Sequence, residues 1–436
     1  MAVGAPRGYT PAMTFVAFLR DNARWLAAGF LMALGSSFGQ TFFIAIFSES
    51  FRTEFDLSHS AFGAIYMAGT LASAAVLVQL GRAVDSRPSR ALAVLIALGL
   101  GLVCAAVALV HHWLLLIPAI FGLRLLGQGM MSHLSQTVTA RWFVATRGKA
   151  LAVAAAGYPT GEALAPIAAV ALIAAIGWRE TWGVAALFSA GLLAPALWFL
   201  LSRERTPAAS PRSAAAPPAD EGAGLDGRHH SRLEVLSRPL FWMLIPGLLA
   251  PSFILTVAFF LPSHIAETKG WAFEALPSRY WIYAVTSLAA SAVAGLALDR
   301  FGARRCLPFY QIPMALGLLA LAYGDGLETI AIMMALFGVT SGAAATIHAA
   351  IWAELYGVRR LGEIKALGHA AMVFATAAGP GLAGALIDLG APFERQAVWL
   401  AAYVALASLG FAWMLWRGPI ARMSALGMKR PEAGPI

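Results

Sequence analysis

Twelve apolar runs, each long enough to cross a bilayer, leave this chain of 436 residues few folds to choose from. A spanning helix needs about 20 mainly apolar residues, because a rise of about 1.5 Å per residue then crosses about 30 Å of hydrocarbon. The runs fall at 25–47, 60–80, 91–110, 113–139, 150–176 and 182–201, then at 240–264, 280–298, 306–323, 329–353, 364–387 and 398–416. Composition agrees: 59% apolar and 12% charged residues, with a mean hydropathy of +0.72, cannot pack into a water-soluble globule without a large exposed apolar surface. The expected fold is an all-α membrane protein of twelve transmembrane helices, six in each half of the chain.

The halves are related. Gly81, Asp85 and Arg90, at the end of the second run, recur 214 positions later as Gly295, Asp299 and Arg304. Gly148 and Pro166 fall on Gly362 and Pro380 at the same offset. A duplicated bundle is the simplest cause, which divides the chain into an N-terminal bundle at 1–201, a linker at 202–238 and a C-terminal bundle at 239–436. The linker is rich in Pro, Ala, Ser and charge, a tether's composition and not a core's. The repeated loop pattern has its own physical reading. An Asp at a helix end, followed by Arg, can make charge-assisted hydrogen bonds to the helix ends of the neighbouring bundle, which would make these six residues a conformational gate. The alternative is that the arginines only enforce topology.

Lys and Arg near helix ends are retained in the cytoplasm. Placing both termini there leaves Arg52, Arg179, Lys269, Arg279 and Arg395 on the opposite face and Arg124 inside a span, with the other 25 of 31 cationic residues on the cytoplasmic side. Topology therefore accounts for the formal charge of +9, and no basic stripe calls for nucleic acid. The first apolar run exceeds a signal-peptide core and is expected to stay. Cys104 and Cys306, one per half, lack any partner spacing for a disulfide or a metal site. No phosphate loop, metal-ligand cluster or nucleophile with a nearby base appears, so neither an enzyme nor a cofactor or metal is expected.

With that topology and Gly81-Arg82-Ala83-Val84-Asp85 echoed by Gly295-Leu296-Ala297-Leu298-Asp299, the chain resembles the major facilitator superfamily over nearly its whole length. Arg141-Trp142-Phe143, Arg147-Gly148 and Gly177-Trp178-Arg179 look like its bacterial branch of monocarboxylate and oxalate/formate carriers. The resemblance implies a secondary carrier in the bacterial inner membrane, working by alternating access as a monomer, with its site at the midplane between bundles. Spans eight and eleven lack the mid-span basic residue expected of organic-anion carriers in that branch, so the substrate is not inherited.

Arg124 and Glu162 are the clear ionisable pair deep in the spans, where a charge is costly unless it pairs or lines a wet cavity. Their depths differ by only about 6 Å if spans four and five enter from opposite sides. They are expected to meet, as a permanent structural pair or as a working one in which Arg124 binds an anionic group and Glu162 carries the coupled proton. Gly157, Tyr158, Pro159 and Gly161 would loosen the helix beside the carboxylate. Gln128 shares the Arg124 face, and Gln40, by the superfamily's layout, looks into the central cavity from span one. Tyr283 and His348 are the second half's candidates for substrate contact. The expected function is proton-coupled transport of a small organic anion. Export of lipophilic or cationic compounds is the alternative, and a sensor that binds without flux is the other class.

Overall fold

The structure, a computed structural model, describes residues 15–80, 84, 87–143, 146–203 and 223–428. Its elements are helices, and twelve of them cross in chain order. Span one runs Phe15–Gly35, breaks over Ser36–Gly39 and resumes at Thr41–Ile44 and Ser48–Phe55. Spans two and three are His59–Leu80 and Ser89–Ala108. Span four joins Leu116–Leu123, a wide-wound π stretch Arg124–Met131 and Ser132–Trp142. Span five joins Arg147–Ala155 to Gly157–Ile176, and span six covers Trp178–Leu187, Phe188–Leu193 and Ala194–Leu200. Spans seven to twelve are Pro239–Phe260, Tyr280–Phe301, Ile312–Tyr323, Glu328–Tyr356, Leu361–Asp388 and Phe393–Trp416. Among the described residues ten helices are long and apolar enough to cross alone, and bent span one makes an eleventh. Span nine, apolar but only 12 residues, is the remaining member.

Local chemistry explains the irregular places. Ser36 turns its hydroxyl back to the Ala33 carbonyl at 2.7 Å, the serine bonding that competes with a helix ladder. Gln40 is extended at ψ 153°, and the two parts of span one meet at 44°. At the corner between spans five and six Gly177 takes φ 92°, a region that disfavours side chains. There Arg179 caps span three by donating to the Ala108 and Val110 carbonyls at 3.0 and 2.7 Å, and it pairs with Glu54. The Gly177-Trp178-Arg179 motif is thus a helix corner.

We call the end of the bundle where the chain enters and leaves the near end, and the opposite one the far end. The linker, expected to be a free tether, is docked over its described part. Leu225 and His230 donate backbone N–H to the carbonyls of Leu355 and Tyr356 at the near end of span ten, at 3.2 and 3.0 Å. Buried Asp226 sits between His230 at 3.2 Å and Arg238 at 3.3 Å, so its charge is compensated where it leaves water. Ser231 and Glu234 then form a reciprocal capping box that starts the short helix Arg232–Ser237.

Candidate functional site

Spans one and four cross where neither has a side chain. A Cβ on Gly39 would lie 2.1 Å from the Leu123 carbonyl oxygen and 2.8 Å from the Gly127 Cα, so two glycines let the backbones touch. The break in span one lies at this crossing, and so does the π stretch of span four; such bulges recur at functional sites. Each irregularity releases backbone groups from their ladders. Arg124, the first residue of the π stretch, uses one of them: its Nη1 donates to the Gly39 carbonyl at 3.2 Å and to Thr41 Oγ1 at 3.3 Å. Thr41 in turn bonds the Tyr66 hydroxyl at 2.6 Å, and the guanidinium lies 5.4 Å from the Tyr66 ring centre. Arg124 is 2% exposed, its Nε has no partner, and its hydrogen-bond acceptors are neutral.

The expected meeting of Arg124 with Glu162 does not occur in this conformation. No ion pair joins them among the described residues; the guanidinium turns toward span one, where the break offers the carbonyl that an intact helix would have consumed. Glu162 is half-buried on span five and near enough to Tyr283 of span eight to act on it electrostatically. The Tyr283 hydroxyl bonds Ser341 of span ten at 2.8 Å, and its ring meets Phe259 edge-on. The structure thus brings Glu162, Tyr283 and Ser341 together across the halves, while Arg124 stays within the first.

The other expected residues divide. Gln40 is half-buried and reaches only Ser36, at 3.5 Å. Gln128, also half-buried, makes no side-chain hydrogen bond among the described residues. The Tyr158 hydroxyl accepts from Gln136 at 3.1 Å and donates to the Ser132 carbonyl at 3.3 Å, which ties span five to span four. His348 turns to span nine, where its Nε2 is 3.2 Å from the Tyr310 hydroxyl. That contact places it on a partner within the second half.

In the loop pattern, Gly81 and Asp85 lie outside the described residues. Arg90 stacks 3.5 Å from the Trp198 ring centre. Arg304 pairs with Glu354 at 3.2 Å and donates to Ser424 at 2.6 Å, while Glu354 also accepts the N–H groups of Ala303 and Arg304. These partners belong to the same half, so this arginine staples its own bundle where contacts with the neighbouring one were expected. Asp299 is exposed, and Gly295 has open space around its Cα.

What joins the halves at the far end was missed in the sequence. Asp388, last residue of span eleven, accepts the N–H groups of Ser60 at 2.8 Å and His59 at 3.3 Å, so one half caps a helix of the other. Phe62 and Phe260 stack at 5.2 Å, Tyr66 meets Phe260 at 4.8 Å, and His59 meets His264 at 4.9 Å. Gly63 packs on the Pro380-Gly381 backbone. An acid closing an apolar span was the available signal, but its receptor is 328 residues away in the chain. Burial holds the His264 imidazole below its usual range, partly offset by Glu394 and Glu267. Toward the near end His133 and His369 are exposed on spans four and eleven.

No curated protein matches the chain by sequence. Solved structures match its fold: a bacterial homolog of the human lysosomal transporter Spinster in an inward-facing, occupied conformation superposes with a TM-score of 0.65 at 14% identity, covering 94% of this chain and 97% of that one. The nucleoside transporter NupG gives 0.68 at 12% identity, over 91% and 99%. A D-xylose-proton symporter gives 0.63 at 17%, over 91% and 97%. The sequence pattern of the Major Facilitator Superfamily matches residues 29–290 and again 280–432. With nearly the whole chain matched and twelve spans arranged as two related halves, this protein belongs to the Major Facilitator Superfamily of membrane transporters.

Proposed function

We propose that this protein moves a small organic anion, such as a monocarboxylate, across the bacterial inner membrane together with a proton. One observation carries the reading: Arg124 is buried deep in its span with no carboxylate against it among the described residues. An uncompensated cation at that depth is expensive, and an anionic substrate supplies the missing charge. The substrate would replace the Gly39 carbonyl and Thr41 as acceptor, at the place where span one is already broken. Tyr66 links this exchange to the far-end closure, since it bonds Thr41 and packs on Phe260 of span seven. Glu162, which faces the second half, would carry the proton as its surroundings alternate between water and apolar contact. The near end faces the cytoplasm in this reading, as the Lys and Arg distribution requires.

A second reading rests on Glu162 itself. Glu162 is half-buried as a residue and, among the described residues, Arg124 does not pair with it, so a cationic or lipophilic cargo leaving the cell could meet that carboxylate directly. Thermal stabilisation separates the two, because a ligand that binds only the folded carrier raises its stability by about 2.7 kcal/mol at a hundred times its Kd. Carboxylates should stabilise the native protein and Glu162→Gln but not Arg124→Gln. Stabilisation by cations alone, lost in Glu162→Gln, replaces the anion reading with the exporter.

A further inference from the structure

The second half carries a groove of 1390 Å³ that the transport reading does not use. Span eight forms one wall from Thr286 to Phe301, Phe309 and Pro313 at the entry to span nine form the other, and span ten the floor. Apart from Leu225 of the linker, the lining residues come from the second half. Val293, Phe309 and Trp416 are 65, 56 and 62% exposed along it, which is a surface made for hydrocarbon. From Thr286 to Phe301 the wall is about 22 Å long at 1.5 Å per residue, about one leaflet including its headgroups. At the near end the apolar lining gives way to Arg304 and Arg305. Arg304 is held by Glu354 and Ser424. Arg305 is exposed and, among the described residues, its guanidinium meets no acceptor. Exposed Asp299 precedes it on span eight, and exposed Arg300 and Arg417 keep the local balance positive.

We propose that this groove is a binding site for one anionic phospholipid of the near-side leaflet, its phosphate on Arg305 and an acyl chain along span eight. A cation at the mouth of an apolar slot between helices selects an anionic headgroup, and the length selects a lipid over a soluble phosphate. Bound there, the lipid would join the loop between spans eight and nine to the helix Pro419–Met428, whose Ala421 and Ser424 line the same mouth. The proposal does not depend on the identity of the transported solute.

The full-length protein in detergent would be titrated with phosphatidylglycerol and with phosphatidylcholine of the same chains, following retained lipid by native mass spectrometry and the midpoint of thermal unfolding. Phosphatidylglycerol should bind more tightly and raise the midpoint further. Arg305→Gln should weaken that binding about fivefold, the worth of one cation near a headgroup. Ala297→Trp, which fills the slot, should remove both effects, while Arg422→Gln, outside the groove, should leave them intact. Equal binding of the two lipids would overturn the proposal. So would an Arg422→Gln loss matching that of Arg305→Gln, or inorganic phosphate reproducing the shift.

Discussion

Spans one and four of the first half occupy the same places in the repeat as spans seven and ten of the second, yet their backbones differ. Span one is broken and span four is wound wide beside Arg124. Span seven runs unbroken through Pro246 and Pro251, and span ten is one helix of 29 residues. Shifting Arg124 by the repeat offset lands on Gly338, and shifting Glu162 lands on Thr376. Gly338 serves packing instead, since its missing Cβ lets span ten touch span eight, where the Tyr283 carbonyl would lie 2.6 Å from a Cβ added there. The glycine crossing of spans one and four is not repeated, since Gly39 and Gly127 shift onto Phe253 and Ser341; the second half makes its close crossing between spans eight and ten, and the deep charge lies in the first half. A solute site between such halves is asymmetric even though its scaffold is not.

The loop arginines show the same divergence at the near end. Arg304 has Glu354 as its partner; the position equivalent to Glu354 in the first half is Ala140, and Arg90 stacks on Trp198 instead. One half therefore staples its loop by an ion pair and the other by a cation on an aromatic face.

Substitutions can break this comparison. The largest effect is expected at the glycine crossings. Gly39→Ala drives a methyl into backbone atoms that cannot swing away and should cost about 3 kcal/mol or more, read as lost folded protein in a thermal unfolding series. Gly338→Ala should cost a similar amount; if it is neutral, the two crossings are not equivalent in packing. Next, Glu354→Gln removes the charge from a carboxylate that serves Arg304 and two backbone N–H groups, for a loss of about 2 kcal/mol. Trp198→Ala at the matching corner should cost only about 1 kcal/mol, and a larger loss there than at Glu354 would reverse the ranking of the two staples.

The smallest effect concerns the far-end contact between the halves. His264 is held below its usual range and faces His59, Arg52, Glu267 and Glu394, with Asp388 beyond it beside His59. The closed arrangement therefore binds fewer protons there than an opened one. Closure is fully supported above about pH 6.5 and weakens as pH falls through that value. Distance measurements between labels on spans two and eleven should show more opening at pH 5 than at pH 8, and His264→Gln should reduce the change. Opening that is unaffected by pH in the native protein would remove His264 from the closure.

The apolar runs alone determined the crossing helices, because a backbone in lipid must satisfy its hydrogen bonds within its own segment. The 214-residue echo determined the two related halves, since repeated contacts keep repeated residues. Arg124 was equally legible as a residue that needs a partner, but its partner was not. The sequence offered one deep carboxylate as the obvious answer, whereas the folded chain answers with a carbonyl freed by a broken helix. Backbone acceptors carry no sequence signal, and helix rotation about the bundle axis decides which one a guanidinium meets. The same reason hides the capping of span two by Asp388 and separates His348 from the interface: spacing tells which residues share a helix face, and only packing between helices tells what that face touches.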